Sequence, residues 1–356
     1  MNQEIRFCTA EDGARLAYAL SGRGAPLVMP PTWLNHLEYE WKSLAWRPWL
    51  ETFSRDYTLL RLDFRGTGLS DRSRGVLSRE HWQRDFATVV EAAGLKRFPL
   101  VGICQGGPIA IEYAARHPER VSHLVLYGTY ARGSFLRTDI PKEVERGKVF
   151  LDMARVGWGQ AEHAFLQVWA HVFQPGGGID HLRSWTELQR QAVDADRAPE
   201  FMEAAMRTDV REAARKVACP TLVMHASGDK VTPVEEGRLL AGLIPGARFV
   251  ELDSINHMLL PEEPAWARAW EEIRAFLRTP RSSQAAGLEA RLADLTEREC
   301  QVLEGIARGL DNAEIAAELA MSEKTVRNHV TRVFDKIGVA HRYQAIVLAR
   351  DAGLAR

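Results

Sequence analysis

The chain has 356 residues, 46% hydrophobic and 26% charged, a balance that supplies a packed core and excludes a wholly disordered or fibrous polypeptide. Its 46 basic and 47 acidic residues leave a net charge of −1, so any nucleic-acid-binding surface must be local rather than a property of the whole chain. Four widely spaced cysteines, Cys8, Cys104, Cys219 and Cys300, exclude a C-x-x-C zinc or redox motif and fit a reducing compartment. The leading residues lack the basic-then-apolar pattern of a secretory signal, and no apolar run approaches the roughly 18–20 residues of a membrane span. The expectation is a soluble cytoplasmic protein with no membrane partner, no metal and no cofactor.

In chain order, short apolar runs at Pro26–Met29, Thr58–Asp63, Phe98–Ile103, Val121–Tyr127, Pro220–His225 and Arg248–Leu252 read as buried strands. Helical periodicity lies between several of them, as at Trp82–Ala93 and Pro108–Arg116. Strands interleaved with helices predict an α/β domain with a mostly parallel sheet covered on both faces. From about 133 to 210 the alternation stops, and a helix-like stretch rich in Trp, Phe and Met predicts an inserted cap. A helical pattern then ends near Leu277, followed by the small, polar segment Thr279–Gly287, which contains Pro280. The expected division is therefore 1–278, a linker at 279–288, and a small domain at 289–356.

In the large domain, Gly102-Ile103-Cys104-Gln105-Gly106-Gly107 follows a predicted strand and precedes a predicted helix. This is a nucleophile elbow with cysteine at its apex, where the glycines make room for a sharp turn. The N-terminus of the helix that follows offers backbone N–H groups to an oxyanion and favours a thiolate. Asp229 lies just past one later strand and His257 past the next, the order acid then histidine that completes a Cys104–His257–Asp229 set. Trp33, His36 and Trp41 belong to an aromatic-dense segment beside the loop after the first core strand. With Trp158 and Trp169 from the cap, they are candidate walls of a mostly apolar ligand pocket, against the plainer reading that they are core.

Together with Asp63-Phe-Arg-Gly-Thr-Gly-Leu-Ser-Asp71 and Pro261-Glu-Glu-Pro264, these stretches resemble the α/β-hydrolase fold over nearly the whole large domain. The resemblance implies a first oxyanion donor just after the first core strand, where the usual His-Gly is replaced by Pro30-Pro31. If those prolines stand for His and Gly, the donor is Thr32, paired with Gln105; shifted by one it is Pro31, which has no N–H. A cysteine in a seat usually held by serine also makes an acyl-enzyme that stalls, and so a site that retains a ligand.

The small domain has only helical periodicity. Thr296/Glu299 and Asp311/Glu314 are capping boxes, Gly309 ends the first helix, and Ser322 caps a third. In that third helix Val326, Val330, Val333 and Ile337 form a buried stripe. Lys324, Arg327, Asn328 and Thr331 recur on the roughly opposite face, beside Thr325 and Arg332. Arg, Lys and Asn are the side chains that pair with guanine and adenine edges in the major groove. Residues 324–350 hold six basic residues against Asp335, whereas 289–323 hold three basic against nine acidic, so charge is polarised within the domain. A fourth helix is expected from Arg342 to Ala352.

The segment from Leu295 to about Gly353 resembles the LuxR-type helix-turn-helix domain, through Leu295-Thr-Glu-Arg-Glu299, Asn312-Ala-Glu-Ile-Ala316, Ser322-Glu-Lys-Thr-Val326 and Lys336-Ile-Gly338. That resemblance implies double-stranded DNA as partner, with Arg327, Asn328 and Thr331 facing bases and Lys324, Thr325 and Arg332 facing the backbone. It also implies a homodimer on two half-sites, with the fourth helix at the dimer contact. The leading expectation is a transcriptional regulator whose hydrolase-like domain senses a small-molecule effector such as an ester or lactone. The rival is an active cysteine esterase or lactonase with a DNA-binding appendage.

Overall fold

In a computed structural model of the chain, residues 3–72, 77–159, 164–278, 292, 294–339 and 342–351 are described. The expected linker at 279–288, part of the cap at 160–163 and the end of the fourth helix at Ala352 lie outside the described residues.

Eight strands form one sheet in the order β1-β2-β4-β3-β5-β6-β7-β8. The pair β1 (Gln3–Thr9) and β2 (Arg15–Ser21) is an antiparallel hairpin, and β2 joins β4 (Thr58–Leu62) antiparallel. From there β3 (Pro26–Met29), β5 (Phe98–Ile103), β6 (Val121–Tyr127), β7 (Thr221–Ala226) and β8 (Arg248–Leu252) run parallel to β4 and to one another. All six residues of β7, and five of the six in β5, are buried, as strands covered on both faces require. Strand order reverses around β3, which pairs with both β4 and β5; loops leaving such a switch point at the strand ends form a crevice suited to ligands.

Helices α1 (Leu37–Glu40), α2 (Arg47–Asp56), α3 (Arg79–Ala92) and α4 (Gly106–Arg116) precede the cap. The cap comprises a 3₁₀ turn at Ser134–Leu136 with α5 (Glu143–Gly157), α6 (Ala164–Phe173), α7 (Ile179–Ala192) and α8 (Ala198–Met206). Then follow α9 (Arg211–Ala214), α10 (Val234–Leu243) and α11 (Pro264–Arg278). α2 packs on α11 through Phe53 and Trp270, whose ring centroids are 4.6 Å apart, and α3 packs on α4 through Phe86 and Tyr113 at 4.9 Å.

The loop after β4 is organised by Asp63. Its buried carboxyl accepts from Asn35 Nδ2 at 2.7 Å, from the Leu37 N–H at 3.0 Å and from the Leu69 N–H at 2.7 Å. Burial raises its pKa well above the usual carboxylate value despite these donors. A Cβ on Gly68 (φ +53°) would lie 2.1 Å from Asp63 Oδ2, so only glycine lets the chain close around the carboxyl. Because Asn35 follows Trp33 and Leu34, this network also sets the segment that faces the elbow.

The small domain has its own core on α12 (Glu297–Arg308), α13 (Asn312–Glu318), α14 (Glu323–Ile337) and α15 (Arg342–Asp351). Both capping boxes form, Gly309 ends α12 in the left-handed region at φ +89°, and Ser322 caps α14. Val326, Val330, Val333 and Ile337 are its buried stripe. The turn between α13 and α14 passes through Ala320 at φ +52°, a conformation that costs an L-residue about 1 kcal/mol or more. Ala320→Gly should therefore stabilise the small domain by roughly 0.5–1 kcal/mol after the extra unfolded-state freedom of glycine is deducted. Urea unfolding followed by circular dichroism checks this; a loss of stability would show that the turn relaxes without strain.

Candidate ligand site and nucleic-acid interface

The site grows from the elbow after β5. Cys104 is held at φ +49°, and a Cβ on Gly107 would fall 1.9 Å from Thr129 Oγ1, so the helix starts this close to β6 only because position 107 is glycine. Thr129 Oγ1 donates to the Cys104 carbonyl at 2.6 Å, fixing the strained residue from the loop that follows β6.

The loops after β7 and β8 bring Asp229 and His257 together. His257 Nδ1 is 2.6 Å from Asp229 Oδ2, both side chains fully buried. The other carboxylate oxygen accepts the Val231 and Thr232 N–H groups at 2.8 and 3.0 Å. Burial opposes the imidazolium, but the Asp229 carboxylate and the Cys104 sulfur outweigh it and push His257 up to about 10. Burial likewise opposes the Asp229 charge, yet His257 and His225 hold that carboxyl below its usual range. His257 Nε2 is buried and has no hydrogen-bond partner among the described residues. Phe173, at the end of α6, stands edge-on to the imidazole at 5.1 Å, and its carbonyl accepts the His257 N–H at 2.9 Å. A second histidine, His225, ends near the same acid: its Nε2 is 2.8 Å from the Thr232 carbonyl and 3.4 Å from Asp229 Oδ2.

Thr32 and Gln105, expected to converge on an oxyanion, are bonded to each other. The Gln105 N–H donates to the Thr32 carbonyl at 2.7 Å. An oxyanion hole needs donors aimed at the position the developing anion takes, and here a carbonyl oxygen holds that donor.

Beside Cys104 lies a cavity of about 70 Å³. Trp33 and Trp169 form part of its wall, with ring centroids 5.7 Å apart. The other three expected wall residues lie elsewhere for local reasons. His36 caps α1, its Nδ1 accepting the Glu38 N–H at 3.3 Å. Trp41 turns to the hairpin edge, donating from Nε1 to Gln3 at 2.7 Å. Trp158 ends α5 and packs on Phe165 at 5.8 Å. Wall residues that sequence reasoning missed include Tyr130, whose hydroxyl bonds the Gln105 side chain, and Arg137. Each stands in a loop with no periodic or motif signal.

In the small domain, Lys324, Thr325, Arg327, Asn328, Thr331 and Arg332 are all exposed along α14. Arg327 pairs with Glu323 at 2.9 Å, a solvent-exposed bridge that DNA can displace at little cost. Two of the basic residues counted from sequence are spent inside the domain. Lys336 binds Glu299 at 2.8 Å, and this amine, together with the Thr296 N–H, holds the Glu299 carboxyl down at about 2. Arg342 reaches Asn312 at 2.7 Å. Arg327→Ala should lower affinity for a specific site by about 1–3 kcal/mol if it reads a base, while Arg332→Ala should weaken all sequences alike and flatten the salt dependence. Mobility-shift titrations across salt distinguish these; a uniform loss for Arg327→Ala would move it to the backbone set.

The sheet order and cysteine elbow define an α/β-hydrolase-fold domain, and the capped helices with an exposed basic third helix define a helix-turn-helix domain. A family model described as alpha/beta hydrolase fold matches residues 25–162, and one described as bacterial regulatory proteins, luxR family, matches residues 293–349. The transcriptional regulatory protein LiaR of Bacillus subtilis is 30% identical over 182 residues, half of this chain and 83% of that protein. The pyrrolizixenacetamide deacetylase of Xenorhabdus hominickii is 25% identical over 252 residues, 70% of this chain and 91% of that protein. Among solved structures, an enol-lactonase from Burkholderia xenovorans superposes with a TM-score of 0.62 at 24% identity, covering 77% of this chain and all of that one. The chain belongs to the luxR family of bacterial regulatory proteins: it is a DNA-binding regulator fused to an α/β-hydrolase-fold domain. None of the described helices is long and apolar enough to cross a membrane.

Proposed function

We propose that the hydrolase-fold domain is the receptor of a ligand-responsive transcriptional regulator. A mostly apolar small molecule, an ester, lactone or similar compound, enters the cavity beside Cys104 and alters how a homodimer engages two DNA half-sites through α14. Cys104, His257 and Asp229 then serve to bind or covalently hold the effector. The observation that carries this reading over turnover is the hydrogen bond from the Gln105 N–H to the Thr32 carbonyl. A hydrolase needs that donor free for the transition state, whereas a receptor has no such need. The assembled histidine–aspartate pair supports the second reading, a hydrolase that destroys its own signal, and that reading requires the Thr32 carbonyl to vacate the donor.

The test uses the full chain and a duplex selected from random sequences by that chain. Treatment with 4-nitrophenyl butyrate should change the dissociation constant for the duplex at least fivefold, the range of ordinary allosteric coupling. The change should be absent in Cys104→Ala. Identical affinity before and after acylation of Cys104 would remove the receptor reading.

A further inference from the structure

The cavity beside Cys104 is apolar over most of its wall but has one charged lining residue, Arg137, whose side chain is only 3% exposed. Its Nε donates to the Arg132 carbonyl at 2.9 Å and its Nη1 to Glu143 at 2.9 Å. Nη2 makes neither of these bonds, and the guanidinium carbon stands 5.3 Å from the centroid of the Tyr130 ring. Glu143 does not neutralise Arg137 alone, because Arg146 shares the same carboxylate at 2.6 Å. Arg132 is met by two carboxylates, Glu236 and Asp139, so these three arginines and three carboxylates balance, and what Arg137 leaves open is a donor, Nη2, rather than net charge. No carboxylate lines the cavity among the described residues.

The uncharged polar groups of the wall are unbalanced in the same sense. Trp33 Nε1, Trp169 Nε1 and Ser134 Oγ are buried without a hydrogen-bond partner, and all three can donate. An unpaired buried donor is costly, and a cation taken from water costs more unless an anion meets it. A neighbouring cavity of about 40 Å³ shares Ser134, Trp169, Met206 and Val231 with the first and continues to Arg146 and Lys230. Its lining also holds Glu143, the carboxylate that Arg137 and Arg146 share.

We infer that the effector carries a carboxylate: its apolar body lies against Trp33, Trp169 and Phe173, and one carboxylate oxygen takes Arg137 Nη2. The inference rests on the receptor reading and specifies the chemical class of the molecule received. It also implies that the cavity widens on binding, since about 70 Å³ is roughly half the 150 Å³ that admits a benzene ring.

Calorimetric titration of the full chain with matched pairs, phenylacetate against phenylacetamide and hexanoate against hexanamide, tests it. The acids should bind at least tenfold tighter than their amides. Arg137→Met combined with Glu143→Gln, which leaves no unpaired carboxylate behind, should bring acid and amide within about twofold by weakening the acid far more than the amide. Arg137→Lys should retain part of the preference. Equal affinity for acid and amide in the unmodified protein, or a preference that survives the double substitution, overturns the carboxylate inference and leaves the receptor reading standing. Binding of neither acids nor amides also overturns the carboxylate inference, while the receptor reading stands or falls on the acylation test above.

Discussion

Asp229→Asn is expected to destabilise the hydrolase-fold domain by about 3–5 kcal/mol, the cost of removing one partner from a buried ion pair, and to lower its melting temperature by roughly 10 °C. The Asp229 carboxylate lies 2.6 Å from His257 and 3.4 Å from His225, and it accepts two backbone N–H groups, so an amide in its place leaves the His257 imidazolium without its counter-charge. The pH dependence gives a sharper test than the midpoint alone. His257 is raised from 6.5 to about 10 in the fold, so its contribution is fully present below 6.5 and is lost as pH rises through 10. The Asp229 carboxyl is lowered from 3.8, so its contribution is present above about 4 and is lost only in strong acid. Stability from this pair should therefore plateau between about pH 4 and 6.5 and decline toward pH 10. In Asp229→Asn the alkaline decline should flatten. Thermal unfolding by circular dichroism across that range measures it; parallel curves for the two proteins would mean that His257 is neutral in the folded state.

The parts legible in the sequence are those whose physics is local or periodic. The six apolar runs became β3 to β8 with ends shifted by at most a residue, since strands buried on both faces read as continuous hydrophobic stretches. The capping boxes and the stripe on α14 were equally visible, because both depend on neighbours three or four positions apart. The β1–β2 hairpin was missed: β1 has no fully buried residue and so shows no apolar run. The elbow and its partners could be placed by strand-end position, yet the bond between Thr32 and Gln105 could not, because it joins loops that only the sheet order β3-β5 makes adjacent. Aromatic density misled at His36, Trp41 and Trp158, where a cap, an edge contact and a helix end claimed the side chains. Arg137 had no local signal; its meaning comes from Glu143, Arg146 and a cavity wall that carries no carboxylate among the described residues.

Cys104 should react once with 4-nitrophenyl acetate or butyrate and then stop. The thiolate attacks the ester carbonyl, the carbon–oxygen bond to the nitrophenyl group breaks, and nitrophenolate leaves with its electron pair, giving a thioester on Cys104. This half-reaction tolerates a poor oxyanion site because the leaving group is good. Release of the acyl group is different: water must add to the thioester, His257 must take its proton, and the new oxyanion must form where the Gln105 N–H is already given to the Thr32 carbonyl. One missing donor costs about 100- to 1000-fold in rate. The expected result is a burst of one nitrophenol per chain, an intact mass raised by one acyl group, and a steady rate near that of the buffer. Cys104→Ala should show neither burst nor adduct, and His257→Ala should slow the burst without changing its size. Sustained release that depends on Cys104 would contradict this. It would require the Thr32 peptide to turn away during each cycle and free the donor, and the domain would then be a hydrolase that clears the signal it reads.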